Sequence, residues 1–346
     1  MLFLKRIAIP ATSAALTLAL VATPVTVRAE TLRMANWLPP VHHISLSLSA
    51  WVAQVNKATG GSLKINLLKA PLAKPPGQYD LAKNGIADIA WGVPAYTPGR
   101  FPVMQAIELP FISPNAETGS AALWSWYAKH KMAAREYGDV KLLAVIVAGP
   151  GVLHTKTPVT VLEDLKGMKL RVGGGGVPLA GKLGAVPVAM PGSKAHEALL
   201  RGIVSGTFFP YSEVKGFRLA KLVKHHLEFS DGLYTSAFFV IMNKKRWNGL
   251  SAKNKAVLDK LGGLSASRLF GKRWDTADIA GKALAIKAGN KIRKISPAEL
   301  ARWRGKVQPL YDEWVAKADK AGLDGKALLA DLQLIMKQQA KMRANR

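Results

Sequence analysis

Seven of the eight positions of a phosphate-cradling loop, Gly-x-x-x-x-Gly-Lys-Ser/Thr, are met by Gly176-Val177-Pro178-Leu179-Ala180-Gly181-Lys182. The eighth is Leu183, so the hydroxyl that would hold magnesium is missing, and Pro178 removes one backbone N–H from the cradle. A dinucleotide pattern, Gly-x-Gly-x-x-Gly, fails too, with Pro178 or Leu179 where its last glycine belongs. His196-Glu197-Ala198-Leu199-Leu200 opens like the zinc motif His-Glu-x-x-His, but Leu200 stands at the second histidine, and one imidazole on a helical face holds no zinc. The neighbours His42-His43 and His225-His226 point in different directions and have no chelating spacing, which predicts surface or hinge positions. No Gly-x-Ser-x-Gly nucleophile elbow occurs. Neither catalysis nor a metal, nucleotide or other cofactor is expected.

One side chain stands apart. Lys169-Leu170-Arg171-Val172 reads as a strand that runs into glycines 173–176. Arg171 therefore sits at the carboxyl end of a strand, where open α/β sheets bind ligands, and the glycines allow a ligand to approach the backbone. A guanidinium matches a carboxylate bidentately and stays charged when desolvated. A surface arginine with a solvated partner fits the same spacing.

The elements that must hold Arg171 follow from periodicity. Strands are predicted at 31–36, 63–68, 87–92 and 141–148, alternating with helices at 44–57, 78–84, 101–109 and 118–137, a βα repeat and hence an α/β domain. The 141–148 run is continuously apolar, of the kind that parallel sheets bury on both faces. After Gly149-Pro150-Gly151 the pattern restarts, with strands at 168–172, 186–190 and 207–209 and helices at 177–183 and 196–202, predicting a second, smaller α/β unit. The strongly strand-like run 234–243 follows that unit and is free, by pattern, to return to either sheet. The remainder reads as helical: Ser251 caps a run to Leu261, a helix resumes over 265–292, and Ser296-Pro297-Ala298-Glu299 is a capping box with proline at the first helical position, followed by two more helices.

A chain of 346 residues, 49% hydrophobic and 21% charged, is long enough for two folded domains sharing a cleft. Lys5-Arg6 before an apolar stretch over 7–21, with small residues in Val27-Arg28-Ala29, predicts a signal peptide, 1–29, cut after Ala29 and leaving 317 residues exported to the periplasm. The absence of cysteine suits a large periplasmic domain held by its core alone. Net charge is +27, or +24 without Lys5, Arg6 and Arg28, and favours anions of some kind. The basic residues are scattered at solvated helical spacings, as in Lys282, Lys287, Lys291 and Arg293, without interleaved aromatics, so nucleic acid is not the expected partner.

The runs VTVLEDLKGMKLRV (159–172), GAVPVAM (184–190), ALLRGIVSGTFFP (198–210), FVIMNKKRWNGLSAKNKAVL (239–258) and YDLAKNGIADIAWGVPAYTPGRFP (79–102) resemble the substrate-binding proteins of tripartite ATP-independent periplasmic (TRAP) transporters, DctP type. The resemblance covers nearly the whole mature chain in the same order. It implies a two-lobed periplasmic binding protein-like α/β fold: lobe 1 at 30–148, lobe 2 at 149–233, and 234–346 supplying a crossover strand that returns to lobe 1 and C-terminal helices spanning both lobes. Such lobes close by hinge on a carboxylated ligand and deliver it to a membrane permease driven by an ion gradient, without ATP. Arg171 matches the arginine of the family's Lys-x-Arg-Val block, which binds the ligand carboxylate. The family's Val-Asp-Gly-Gln-Glu-Asn-Pro block stands here as Val204-Ser205-Gly206-Thr207-Phe208-Phe209-Pro210, with Phe209 at the carboxylate-contacting asparagine, and Gly149-Pro150-Gly151 replaces a second arginine. A cleft so altered is expected to favour an apolar or aromatic monocarboxylate over sugar acids and small dicarboxylates. Trp91, Tyr96, Phe209, Tyr211 and Tyr234 are candidate walls, each equally able to pack in a lobe core. His43, shortly after Pro39-Pro40, is a candidate hydrogen-bonding group. Two other readings stay open: an exported enzyme acting on an anionic substrate, and a sensory binding protein of the same fold without a transporter.

Overall fold

The computed structural model describes residues 29–346; the expected signal peptide lies outside them apart from Ala29. Its strands are β1 (Glu30–Met34), β2 (Leu63–Leu67), β3 (Ile89–Gly92), β4 (Val140–Val147), β5 (Val152–Thr155), β6 (Lys169–Val172), β7 (Val186–Ala189), β8 (Gly206–Phe209), β9 (His225–Glu228), β10 (Ala237–Asn243) and β11 (Lys291–Lys294). They form two sheets, β2-β1-β3-β10-β4 and β11-β9-β5-β8-β6-β7, each the centre of one lobe. Every residue of β10 is buried, and the strand returns to the first sheet, antiparallel between β3 and β4.

That return changes what the apolar 141–148 run means. β4 is an edge strand in antiparallel pairing, not a member of a parallel ladder. Its residues divide between two apolar clusters, Leu142, Val145 and Val147 in one and Leu143, Ala144 and Ile146 in the other. Its free edge is closed by helices whose serines take the ladder's unpaired donors: Val147 N–H donates to Ser120 Oγ at 2.9 Å and Val145 N–H to Ser267 Oγ at 3.3 Å.

Four other expectations are corrected. The helix foreseen over 118–137 is two, Ala116–Lys129 and Met132–Glu136, because Lys131 adopts φ 54 and His130 turns out to meet Asp331 at 2.7 Å. The 101–109 segment is helical only as a tight turn over Met104–Glu108. The helix foreseen over 265–292 is Gly263–Lys287, stopped by Gly289 at φ 73, and Lys291–Lys294 then pairs with β9 as an edge strand. The capping box at Ser296 is half formed: Ser296 Oγ accepts from Glu299 N–H, but Glu299 accepts from Leu162 N–H at 2.9 Å, tying the Pro297–Val307 helix to the second lobe.

The Gly263–Lys287 helix is the spine of the molecule. Two of its carboxylates, one turn apart, hold helix starts in different lobes. Asp275 Oδ1 accepts from Ala116 N–H at 2.8 Å in the first, and Asp278 Oδ1 accepts from Ser212 N–H at 2.7 Å in the second. Two of its glycines mark the same crossings: a Cβ on Gly271 would lie 2.5 Å from Glu117 Cα, and one on Gly281 would lie 1.9 Å from the Tyr211 carbonyl oxygen. Alanine is the better helix former by about 1 kcal/mol, yet Gly271→Ala is expected to destabilise the protein by about 1–3 kcal/mol through overpacking. A thermal melt checks this, and an unchanged or raised Tm would contradict a backbone-close crossing.

Candidate ligand-binding cleft

The carboxyl ends of β1, β3, β6 and β8 face one another across the lobe boundary around a small, partly open cavity of about 50 Å³. Its first-lobe wall includes Trp37 and Leu38 after β1, Tyr96 after β3 and Phe238 on β10; Trp274 comes from the spine helix. The second lobe contributes Arg171, glycines 173–175, Phe209 and Glu213.

Arg171 is 2% exposed. On β6 its neighbours Leu170 and Val172 enter the lobe core, and strand alternation turns Arg171 to the other face. Its Nε and one Nη both donate to the Met190 carbonyl, at 3.1 and 2.8 Å, and its guanidinium carbon lies 4.2 Å from the centre of the Phe209 ring. Among the described residues no carboxylate pairs with it. A desolvated cation held by one carbonyl and an aromatic face is electrostatically incomplete.

The glycines after Arg171 form the seam between lobes. A Cβ on Gly174 would lie 2.1 Å from the Ala95 carbonyl oxygen, and one on Gly175 2.2 Å from Glu108 Oε2, both groups belonging to the first lobe. From Gly176 the chain enters the helix Gly176–Lys182. Burial pushes the Glu108 carboxyl up to about 7, against the opposing effect of the Ala237 N–H that donates to it.

The other candidate residues divide. Phe209 lines the cavity beneath Arg171, packed on Phe217 with ring centres 5.5 Å apart. Tyr96 and Tyr234 also line it: the Tyr96 hydroxyl accepts from Gly192 N–H at 3.0 Å across the lobes, and the Tyr234 hydroxyl donates to the Phe208 carbonyl at 2.8 Å. Burial pushes the Tyr234 phenol up, so that it stays a donor.

Trp91 is one layer behind the cavity. It is fully buried, its Nε1–H donates to Asn36 Oδ1 at 3.2 Å, and its ring stacks on Trp37 with centres 4.7 Å apart. Trp37 presents the indole face instead, and its buried Nε1–H has no protein acceptor. Tyr211 is a packing residue, set among Val152, Val214, Ala220 and Ala285, because the turn after β8 points it away from the cleft. His43 does not line the cavity. Its Nε2 meets Glu213 Oε1 at 2.9 Å, and Nε2 of His42 meets the other oxygen, Oε2, at 3.1 Å. The adjacent histidines therefore converge on one carboxylate, contrary to the expectation that they diverge: His42 is the extended cap residue and His43 the first residue of the helix His43–Ala58, so the backbone bends between them. Trp274 and Glu213 carried no local signal in the sequence. Trp37 was inferable, as the residue directly after the strand expected at 31–36.

The bacterial extracellular solute-binding protein family 7, DctP, matches residues 34–318. The chain is 28% identical over 306 residues, 87% of its length and 90% of the relative's, to the outer membrane transporter protein TsaT of Comamonas testosteroni. Among solved structures it superposes on a TRAP periplasmic solute-binding protein of Bordetella bronchiseptica with bound (R)- and (S)-mandelate, with a TM-score of 0.86 and 33% identity over 89% of this chain and 99% of that one. A TRAP solute-binding protein of Rhodoferax ferrireducens with copurified benzoate gives a TM-score of 0.85 and 33% identity, covering 90% and 99%. With that coverage and a two-lobed cleft at the carboxyl ends of its strands, the chain belongs to the bacterial extracellular solute-binding proteins of family 7, the DctP-type solute-binding proteins of TRAP transporters.

Proposed function

We propose that this protein captures an aromatic monocarboxylate between its lobes in the periplasm, after cleavage following Ala29, and hands it chemically unchanged to the membrane subunits of an ion-gradient-driven TRAP permease. One observation carries the reading: Arg171 is buried, lacks an acidic partner among the described residues, and lines a cavity walled by Trp37, Phe209, Phe238 and Trp274. The carboxylate completes the guanidinium, and the ring lies among the aromatic faces. Residues 30–148 and 149–233 act as the two closing lobes, with 234–346 providing the return strand and the helices that connect them. The relatives that carry mandelate and benzoate support an aromatic acid.

A thermal-shift series on the mature protein tests this with benzoate, mandelate and 3-hydroxybenzoate against malate and glucuronate. The aromatic acids are expected to raise Tm, by the equivalent of about 2.7 kcal/mol at a hundredfold excess over Kd, and the bound acid should be recovered intact. A larger shift with malate or glucuronate, or turnover of the acid, would contradict the reading.

A further inference from the structure

We propose that His42, His43 and Glu213 form a latch across the mouth of the cleft that keeps the lobes closed and sets how long a bound carboxylate stays. The inference rests on the cleft being the ligand site. His42 and His43 open the first helix of the first lobe, whereas Glu213 lies in the helix Ser212–Gly216 of the second, 170 or 171 residues away in the chain. His42 and Glu213 are 2% and 4% exposed, and each carboxylate oxygen receives one imidazole, at 3.1 and 2.9 Å.

The position of the trio makes it a gate and not a core contact. Glu213 lines the ligand cavity, whereas His42 and His43 line an outer groove of about 790 Å³ that also touches Val41, Lys215, Arg218 and Arg273. The three side chains lie between the two spaces together with Phe217, which lines both. His42 packs on Phe217 and His43 edge-on to Trp274, with ring centres 5.1 and 4.8 Å apart, and both of those partners are cavity walls. Gly216 leaves room for the contact, since a Cβ there would lie 2.7 Å from His42 Nε2 and 3.0 Å from Glu213 Oε2.

Charge gives the latch its sense. Burial pushes the Glu213 carboxyl up, but the two histidines outweigh it and hold the group well below the ordinary carboxylate range. An anionic carboxylate beside an anion's cavity is tolerable only while both oxygens are satisfied, and in this arrangement that requires the other lobe. A metal ion suits the trio less well, although the donor atoms lie within 4.8 Å of one another. Ile44 N–H donates to His42 Nδ1 at 3.3 Å, which leaves the ring proton on Nε2, the atom that would have to ligate.

The test uses mandelate as probe on the mature protein, with release followed by stopped-flow displacement. Glu213→Gln and the double variant His42→Ala/His43→Ala are expected to release mandelate about 10- to 100-fold faster, the worth of hydrogen bonds to a charged group, and in the histidine variant, whose changes lie outside the cavity, association should stay within about threefold of the parent, since interface changes act mainly on dissociation. His43→Gln, whose side-chain N–H replaces the imidazole N–H, should restore slow release in part. Unchanged release, or release slowed by added Zn²⁺ in the parent and not in the histidine variant, overturns the latch. A parent protein that binds no aromatic acid overturns the ligand reading instead. A second measurement needs no ligand: the chain has no cysteine, so Lys64→Cys and Lys166→Cys on the two lobes take spin labels cleanly. Inter-lobe distances should lengthen in the latch variants, and identical distributions would overturn the proposal.

Discussion

Arg171→Ala is expected to remove aromatic-acid binding while leaving the unliganded protein folded and no less stable. In the free protein the guanidinium is desolvated with a single carbonyl partner and no acid, so its removal relieves an incomplete buried charge. In the proposed complex the same group would supply the bidentate partner of a carboxylate that has left water. Truncating one member of such a pair costs about 2–5 kcal/mol, or some 30-fold or more in Kd. Arg171→Lys should fall between, because an ammonium keeps the charge but loses the fork and the planar contact with Phe209, 4.2 Å below. Calorimetric titration with mandelate checks the series. Affinity within threefold of the parent in Arg171→Ala would place the carboxylate elsewhere in the cleft.

The second large effect is expected from a residue with no side chain. Gly174→Val should abolish closure, and with it at least about tenfold in affinity, while the melting temperature of the unliganded protein changes little. The Cβ of any residue at 174 would lie 2.1 Å from the Ala95 carbonyl oxygen, a backbone atom that cannot yield as a flexible side chain would. Because Ala95 belongs to the other lobe, opening relieves the clash without unfolding either domain. Gly181→Ala is the control: nothing lies within 4 Å of its Cβ, and it sits inside the helix Gly176–Lys182, where alanine is favoured. The ligand-induced rise in Tm should fall to about half or less in Gly174→Val and persist in Gly181→Ala. A Tm that collapses in unliganded Gly174→Val would show instead that the two lobes fold only when closed.

The legible part of the fold was the local part. The βα alternation of the first lobe, the restart after Gly149-Pro150-Gly151 and the cap at Ser251 are encoded in neighbouring residues, and the structure has elements at all of them. β11 was missed because Lys291–Lys294 has no apolar alternation to announce it; as an edge strand with mostly exposed side chains it needs none. The unexpected break in the 118–137 helix is likewise non-local, since His130 is drawn to Asp331 some two hundred residues on.

The site divides on the same principle. Arg171 became a candidate from sequence because a strand period, a run of glycines and the chemistry of a guanidinium meet within eight residues, and the resemblance to the DctP type chose it over a solvated surface arginine that fits the same spacing. The choice between Trp37 and Trp91 could not be made from sequence, because it depends on which face each residue presents once β1 and β3 lie side by side, and the two indoles then stack so that only the outer one meets the cavity. Tyr211 left the list of walls for a similar reason, a turn after β8 that rotates it into the core of the second lobe. His42, His43 and Glu213 come together only when both lobes are in place, with 170 or more residues between the histidines and their carboxylate. Residue type and period determined which elements form and where a lone arginine would be offered at a strand end; the docking of one lobe on the other decided what that arginine faces and what closes over it.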